Sequence, residues 1–476
     1  MLRTEDLEFS LCREARELAP LLDQLTPPPE GLARAVADSG DQAVLLHRSG
    51  SDEPLGAVTF RCLDSQMLYA RLKSPQLTGL VRQSTGGRAL LISGVLVPRG
   101  EQQEEFGQLL LTEVLTLALS REYAYGLYCP LEGAASAFAR QLILRQGFVP
   151  VAGEKDALAA DMRRPLVLNR NVDTAIKQPL ASRPAVAAAV SAARIRLQEA
   201  LTGLYPGNLV LSLSAGVIYH RLLQRITARN GVPAEPLVPR QLGPDICVPY
   251  GKILRGVYEP DLYSYSTEAC PGYSPLPDQV RTIRAFDRPV ILVDDMLHDG
   301  KRIRRLAPLL EQTHTRVDQV LVGYLTGMGR DLMEQLGYPV DSIYYLPNLR
   351  RWFVESTLYP FIGGDTVRRT GLLPGGLQPS VNRILPYAAP PCQTECGREA
   401  ALQLSRTCLE CARDVLSTLE QEYLALYGRN LTLSRLPEAV VLPLCPDKGT
   451  CLSYDPNLSP SVYLENDLEQ LLRQNG

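Results

Sequence analysis

The alternation of apolar strand patterns with helix patterns between Asn208 and about Pro360 constrains the fold of this chain most strongly. Short runs of aliphatic residues, each followed by a helix-like segment, lie at residues 209–213, 246–250, 290–293 and 320–324. Strand, helix, strand, helix is the order that a parallel α/β sheet requires. The sequence therefore predicts a parallel-sheet α/β domain, to which we assign residues 206–374.

Length and charge predict a multidomain globular protein. At roughly 150 residues per domain, 476 residues correspond to about three domains. The net charge of −3 argues against a protein that coats nucleic acid or a membrane. The N-terminus has no apolar core, and no apolar run approaches about 18 residues, so we expect no membrane segment and a cytoplasmic protein.

Turn residues and composition divide the rest of the chain. Residues 1–165 mix strands with helices, including helices predicted near 105–121 and 134–144. A helix from Pro184 to about Leu204 lies within a connector at 166–205. Residues 375–476 form a mostly helical region that contains cysteines.

The strongest chemical signal is the segment from Pro289 to Arg302. A wholly apolar strand ends in Asp294 and Asp295, and a short turn that contains Gly300 leads into a helix. Open α/β sheets bind ligands at the carboxyl ends of their strands. The turn and the helix N-terminus can bind an anion, and the carboxylates can hold ribose hydroxyls or Mg²⁺. The segment therefore predicts a small phosphorylated sugar as ligand.

This segment resembles the 5-phosphoribosyl-1-diphosphate (PRPP) signature of type I phosphoribosyltransferases. The resemblance implies that Asp294 and Asp295 are catalytic, orienting the ribose and stabilising the developing positive charge. It also implies a turn around the 5-phosphate made of Met296, Leu297, His298, Asp299, Gly300, Lys301 and Arg302. The family usually has Thr or Ser hydroxyls where this chain has His298 and Asp299. Asp299 would repel a phosphate unless it caps the next helix.

Two further segments are similar in placement to the pyrophosphate contacts of that family. Ser212, Ser214 and Gly216 follow the first strand, and an ordinary strand-to-helix turn is the alternative for them. Lys252 and Arg255 follow the second strand, and solvated surface charges are the alternative there.

The acceptor side of this predicted site is less defined. Residues 259–275 would form a lid that keeps water from the reaction. Trp352, the single Trp of the chain, lies where purine members of the family stack the base. Core packing is the alternative for Trp352.

The resemblance implies a phosphoribosyltransferase of nucleotide metabolism that acts on a nucleobase-like acceptor. It would use PRPP with Mg²⁺, and an oligomer is compatible with the sequence. A second hypothesis, based on the altered turn, is a non-catalytic ligand-sensing or scaffold protein built from degenerate enzyme folds.

Residues 1–165 resemble a GNAT acetyltransferase fold, with the match concentrated between Ala89 and Val151. In that family a Gly-containing turn binds the CoA pyrophosphate through backbone amides. Here residues 102–107 align with the turn, and Glu105 replaces its middle Gly. The Tyr that serves as general acid in the family aligns with Ile143. These departures disfavour catalysis, so acetyl-CoA is not expected as a cofactor, and CoA-dependent N-acetyl transfer is the third hypothesis.

Four cysteines near the C-terminus allow two interpretations. Cys392, Cys396, Cys408 and Cys411 could supply a tetrahedral zinc site. Their spacing is not that of a standard zinc ribbon, and Cys408 and Cys411 fall on an apolar helical stripe. Packing is therefore favoured, and we assign no metal ligands.

Overall fold

The structure is a computed structural model that describes residues 7–12, 15–25, 36, 38, 40–83, 87–131, 134–230, 246–369, 373, 377–447 and 454–473. The strands are β1 (Leu7–Cys12), β2 (Gln42–Arg48), β3 (Pro54–Asp64), β4 (Arg88–Leu96), β5 (Tyr125–Tyr128), β6 (Val149–Pro150), β7 (Leu158–Arg170), β8 (Asn208–Ser214), β9 (Ile246–Val248), β10 (Leu254–Tyr258), β11 (Tyr265–Ala269), β12 (Val290–Leu297), β13 (Val317–Thr326), β14 (Val340–Leu346), β15 (Arg351–Val354), β16 (Asp365–Thr366), β17 (Gln378–Val381) and β18 (Leu444–Pro446). The helices are α1 (Ala19–Leu22), α2 (Ser65–Leu72), α3 (Pro75–Arg82), α4 (Gln103–Ser120), α5 (Ala137–Leu144), α6 (Val172–Ala175), α7 (Pro184–Leu204), α8 (Ala215–Asn230), α9 (Tyr250–Ile253), α10 (Leu276–Ala285), α11 (Lys301–Gln312), α12 (Gly327–Leu336), α13 (Glu355–Leu358), α14 (Gln393–Cys396), α15 (Arg398–Tyr427), α16 (Leu436–Ala439) and α17 (Pro460–Arg473).

Nine strands form the largest sheet, in the order β1-β2-β3-β4-β5-β7-β15, with β6 and β8 also paired to β7. Antiparallel pairing joins β1 to β2, β2 to β3, β3 to β4 and β5 to β7. The β4–β5 pair is parallel. The largest sheet is therefore mostly antiparallel.

A smaller sheet has the order β14-β13-β12-β9, and β12 is parallel to both β13 and β9. The strands predicted at 246–250, 290–293 and 320–324 are β9, β12 and β13. The strand predicted at 209–213 is β8, but it pairs with β7 instead of joining this sheet. A parallel phosphoribosyltransferase-like domain is therefore not what the fold shows, and the chain is a mixed α/β protein with a helical C-terminal part.

The chain divides into two compact units. Unit 1 comprises residues 1–168, 201–213 and 345–352, and unit 2 comprises residues 169–200, 214–344 and 353–476. Within unit 1, apolar residues of β3, β4 and β5 pack against α2 and α3, with Leu63, Leu68, Leu77, Leu91 and Leu127 at the centre. Within unit 2, the 30-residue helix α15 buries one apolar face. No described helix is long and apolar enough to cross a membrane.

Helix α4 matches the predicted amphipathic helix and packs against α5. A Cβ atom on Gly107 would lie 2.6 Å from the Cδ2 atom of Leu142 and 3.1 Å from the Cζ atom of Phe138. Only glycine allows this approach. Helix α5 begins where the Ser136 hydroxyl accepts a hydrogen bond from the Ala139 amide at 3.0 Å.

Candidate functional site

Strand β4 extends further than its parallel neighbour β5. The register runs from Ala89 opposite Tyr125 to Ile92 opposite Tyr128. Two more bonds follow, from the Cys129 amide to the Ile92 carbonyl oxygen at 3.0 Å and from the Leu131 amide to the Ser93 carbonyl oxygen at 2.8 Å. Within the described ranges, no strand pairs with residues 94–96 on this side of β4. These three residues form a backbone edge, which we call the β4 edge.

Ser93 is an extra residue in β4 immediately before the β4 edge. Thr59 lies opposite Gly94 and Phe60 lies opposite Ile92, so the register shifts at Ser93. A β-bulge of this kind reorients the side chains around it. The Ser93 hydroxyl donates to the Asp41 carboxylate and lies 3.0 Å from the Thr59 hydroxyl.

The Asp41 carboxylate is fully buried beneath this bulge. Arg71 of α2 forms a bidentate pair with it, in which the Nη2–Oδ2 distance is 2.8 Å. The Ser93 hydroxyl also donates to this carboxylate. A buried charge needs such partners, and the cluster fixes the side-chain position of the bulged Ser93.

Tyr128, the last residue of β5, lies on the opposite face of the sheet. Its neighbour Leu127 packs against α2 and α3, and successive strand residues face opposite sides. Tyr128 is only 1% exposed, and no described residue forms a hydrogen bond with its hydroxyl. Burial raises the pKa of Tyr128 to about 12, against the opposing effect of Arg140 of α5. The hydroxyl therefore keeps its proton at neutral pH.

Cys129 and Glu154 lie near the same end of β5. Burial raises the pKa of the Cys129 thiol to about 12, and the Glu154 carboxylate contributes to this shift. The Ser74 hydroxyl donates to Glu154. A thiol with so high a pKa is a poor nucleophile, so the chemistry available here belongs to the carboxylate and the hydroxyls.

The first turn of α4 lies beside the end of β4. The Gln103 side-chain amide donates to the Val97 carbonyl oxygen at 3.1 Å. Glu104 forms an ion pair with Arg145, and Glu105 is half-buried. The residues aligned with the CoA turn are thus mostly helical, and Gly107 serves helix packing. Ile143, aligned with the family's general acid, is fully buried in α5.

Asp294 and Asp295 lie within β12, which continues to Leu297 instead of ending at the two carboxylates, and they share one arginine. The Arg302 Nη1 atom is 2.9 Å from Asp294 Oδ1 and 3.4 Å from Asp295 Oδ1. Burial, and then the charge of Asp295, raises the pKa of Asp294, while Arg302 opposes the shift. A Cβ atom on Gly251 would lie 1.9 Å from Asp294 Oδ1. The two carboxylates are therefore occupied by protein partners.

The turn after β12 is held by its own side chains. Gly300 precedes α11 with φ +67°, and Asp299 accepts a hydrogen bond from the Lys301 amide at 3.2 Å. His298 Nδ1 lies 3.0 Å from the Thr326 hydroxyl. The Lys301 ammonium lies 3.3 Å from Asp299 and 4.3 Å from the centre of the Tyr265 ring. Met296 and Leu297 belong to β12, opposite Tyr324 and Leu325 of β13.

The other predicted residues are distributed over both units. Arg255 pairs with Glu268 at 2.8 Å and with Gln378 at 2.7 Å. The side chain of Lys252 lies outside the described residues. Ser212 lies in β8, where its carbonyl oxygen accepts a hydrogen bond from the Thr112 hydroxyl at 3.0 Å. The Ser214 hydroxyl accepts a hydrogen bond from the Val217 amide at 3.5 Å. Gly216 lies in α8, and Trp352 is half-buried in β15.

The four C-terminal cysteines form no metal site in the described part of the chain. No group of three or more His, Cys, Asp or Glu side chains there could hold a metal ion. Cys408 and Cys411 are fully buried in α15. Burial raises the pKa of Cys411 to about 12, as expected of a packed thiol.

No protein-family model and no curated protein matches the chain. Among solved structures, arylalkylamine N-acetyltransferase 2 from Aedes aegypti has 12% sequence identity over 33% of this chain and 98% of its own, with a TM-score of 0.24. The catalytic domain of the Tetrahymena GCN5 histone acetyltransferase in complex with coenzyme A has 14% identity over 31% of this chain and 80% of its own, with a TM-score of 0.21. At these values the likeness carries no argument about substrates.

These comparisons correct the predicted function. A PRPP-dependent phosphoribosyltransferase of nucleotide metabolism with Mg²⁺ is wrong, because the neighbours are acetyltransferases and nothing supports PRPP. The expectation that acetyl-CoA is not a cofactor is also wrong, since a neighbour was solved with coenzyme A. Over about a third of its length, the chain is similar to N-acetyltransferases of the GNAT class.

Proposed function

We propose that unit 1 transfers an acetyl group from acetyl-CoA to a primary amine. The β4 edge is the observation that carries this proposal, because it offers main-chain hydrogen-bonding groups beyond the end of β5. The pantetheine arm of CoA is an extended chain with two amides. Such a chain can pair with the backbone of a strand that has no neighbouring strand on one side.

The residues around the β4 edge have both a favourable and an unfavourable effect on the diphosphate end of acetyl-CoA. The first turn of α4, held beside Val97, presents backbone N–H groups that favour an anion such as the diphosphate. Glu105 in that turn opposes the diphosphate charge. The thioester end would lie toward Ser93 and the carboxyl end of β5.

The chemistry then needs a neutral amine and a polarised thioester. The half-buried Glu154 carboxylate near Cys129 is available to accept a proton from the incoming ammonium. Backbone N–H groups of the β4 edge would stabilise the oxyanion that forms when nitrogen attacks the carbonyl carbon. The C–N bond forms and the C–S bond breaks. The second proton of the former ammonium passes to the CoA sulfur, and free CoA leaves as the thiol.

The proposal is tested with the full chain, acetyl-CoA and a panel of primary amines: an arylalkylamine, agmatine, a polyamine and a lysine peptide. We expect mass spectrometry to detect an acetylated amine from at least one class, with an equal amount of free CoA. A reaction without amine measures hydrolysis, and a reaction without protein measures spontaneous acetylation. CoA binding without acetylation of any amine would contradict the proposal and favour a non-catalytic ligand-binding protein.

A further inference from the structure

We propose that Asp41 is a positioning residue: through the Ser93 hydroxyl, its buried carboxylate holds the β-bulge of β4 and thereby determines which backbone groups of the β4 edge face the ligand. This inference rests on the acetyl transfer proposed above, because it needs CoA to bind along the β4 edge. Asp41 itself touches neither CoA nor the amine, and its effect on the ligand passes through the backbone of β4.

Two successive carbonyl groups of β4 point to the same side of the strand. The Cys129 amide donates to the Ile92 carbonyl oxygen at 3.0 Å, and the Leu131 amide donates to the Ser93 carbonyl oxygen at 2.8 Å. Successive residues of a regular strand direct their carbonyl groups to opposite sides. The bulge at Ser93 has therefore turned one peptide group over.

The turned peptide group determines what the β4 edge presents. Because the Ser93 carbonyl points toward Leu131, the Gly94 amide in the same trans peptide group points the opposite way, toward β3. Gly94 accordingly lies opposite Thr59 of β3. Since backbone groups alternate along a strand, the N–H and C=O of Val95 point to the side of β4 on which no described strand pairs. Without the bulge, the same alternation would place Gly94 in that position. The bulge therefore sets the register in which an extended ligand can pair with β4.

The Ser93 side chain is held by two partners inside unit 1. Ser93 is fully buried, and its hydroxyl donates to Asp41 and lies 3.0 Å from the Thr59 hydroxyl. A hydroxyl has one proton to donate, and a hydrogen bond to a carboxylate is roughly twice as strong as one to a neutral group. Asp41 therefore contributes more than Thr59 to the orientation of Ser93.

Arg71 fixes the position of the Asp41 carboxylate in turn. It forms a bidentate pair with Asp41, whose side chain is 0% exposed. A buried ion pair usually gives no more stability than apolar side chains of similar volume. The fixed position that this pair gives to Ser93 explains its presence better than stability does.

Ser93→Ala tests the inference in the ligand-free protein, because it removes the hydroxyl and leaves the ion pair of Asp41 in place. We expect the bulge to relax, so that the Leu131 amide loses its acceptor and exchanges its hydrogen about tenfold faster. The Cys129 amide, bonded to β4 before the bulge, should stay within about twofold of its wild-type rate. Gly147→Ala, which destabilises unit 1 at another position, is the control and should not separate the two amides. An unchanged rate for Leu131, or equal acceleration of both amides in Ser93→Ala, would overturn the inference.

Ligand affinities then test whether this positioning acts on CoA. Ser93→Ala and Asp41→Asn should each weaken the binding of CoA by about 5- to 20-fold. The binding of ADP, which has a diphosphate but no pantetheine arm, should change by less than about twofold. Because both changes break the same contact, the double variant should bind CoA about as weakly as either single variant.

Equal losses of affinity for CoA and ADP, unchanged affinity for CoA, or additive losses in the double variant would overturn the inference. A wild-type protein that binds CoA and shows the expected differences but acetylates no amine would contradict the proposed function alone. A wild-type protein that binds no CoA would overturn both.

Discussion

The Leu131 amide donates a 2.8 Å hydrogen bond to the Ser93 carbonyl oxygen, and beyond this bond no described strand pairs with β4 on the same side. On one face beneath it, Asp41 and Arg71 hold the bulged Ser93. On the other face, Tyr128 carries a buried hydroxyl. A backbone edge beside a bulge that the Asp41 carboxylate binds is the arrangement from which the proposed acetyl transfer follows.

Glu105→Gln should tighten the binding of CoA by about three- to tenfold, because it removes a negative charge beside the expected position of the diphosphate. Near a protein surface, one charge pair at contact distance contributes a few kcal/mol before screening. Titration calorimetry with CoA and with pantetheine, which has no diphosphate, isolates the effect. An equal gain for both ligands, or none for CoA, would place the diphosphate elsewhere.

Gly147→Ala should destabilise unit 1 more than Gly153→Ala does. Both glycines have a left-handed backbone, with φ of +85° and +83°, which costs other residues roughly 1–2 kcal/mol. A Cβ atom at position 147 would also lie 2.1 Å from the Asn208 carbonyl oxygen, whereas at position 153 its nearest neighbour is 3.7 Å away. Thermal unfolding should show the larger decrease for Gly147→Ala, and equal decreases would contradict the described packing.

Arg71→Leu should lower the stability of unit 1 by about 3–5 kcal/mol, because it leaves the buried Asp41 carboxylate without its main partner. The double variant Asp41→Asn with Arg71→Leu should recover part of this loss. Arg163→Leu breaks the more exposed pair with Asp161 and should cost less than about 1 kcal/mol. Urea unfolding measures all three variants, and a small effect of Arg71→Leu alone would show that Asp41 is not buried as a charge.

Asp294→Asn should become progressively more stable than the wild type as the pH rises from 4 to 8. Burial, and then Asp295, raises the pKa of Asp294 above its unfolded value of about 3.9. The folded chain binds this proton more tightly, so the associated stability is present below pH 4 and is lost as the pH rises through the folded pKa. Unfolding midpoints of both proteins, measured from pH 4 to 8 at constant ionic strength, test this prediction. A difference between the two proteins that does not change with pH would refute the shift.

Local sequence patterns predicted the elements but not all of their partners. The apolar run of β12 and the helix α7, which begins at Pro184, follow from periodicity and terminal residues. The pairing of β8 with β7 does not, because it depends on contacts distant in sequence, such as the bond from the Asp161 amide of β7 to the carbonyl oxygen of Gly207, just before β8, at 2.7 Å.

The candidate site could not be predicted from local sequence patterns either. Asp41 lies 30 residues from Arg71 and 52 from Ser93, so no local motif connects them. Tyr128 is unusual only through its burial and its lack of a described partner, which arise from packing. The segment around Asp294 forms a strand, a turn and a helix. Its charged side chains pair with one another. The local sequence pattern therefore did not predict which ligand, if any, this segment binds.

Hydrogen exchange of the full chain with and without saturating acetyl-CoA tests the central claim most directly. The account predicts slower exchange of the amides of residues 94–97 and 102–107, with no change in residues 294–302. Protection confined to residues 294–302, or no protection in residues 94–97, would contradict a CoA site on the β4 edge.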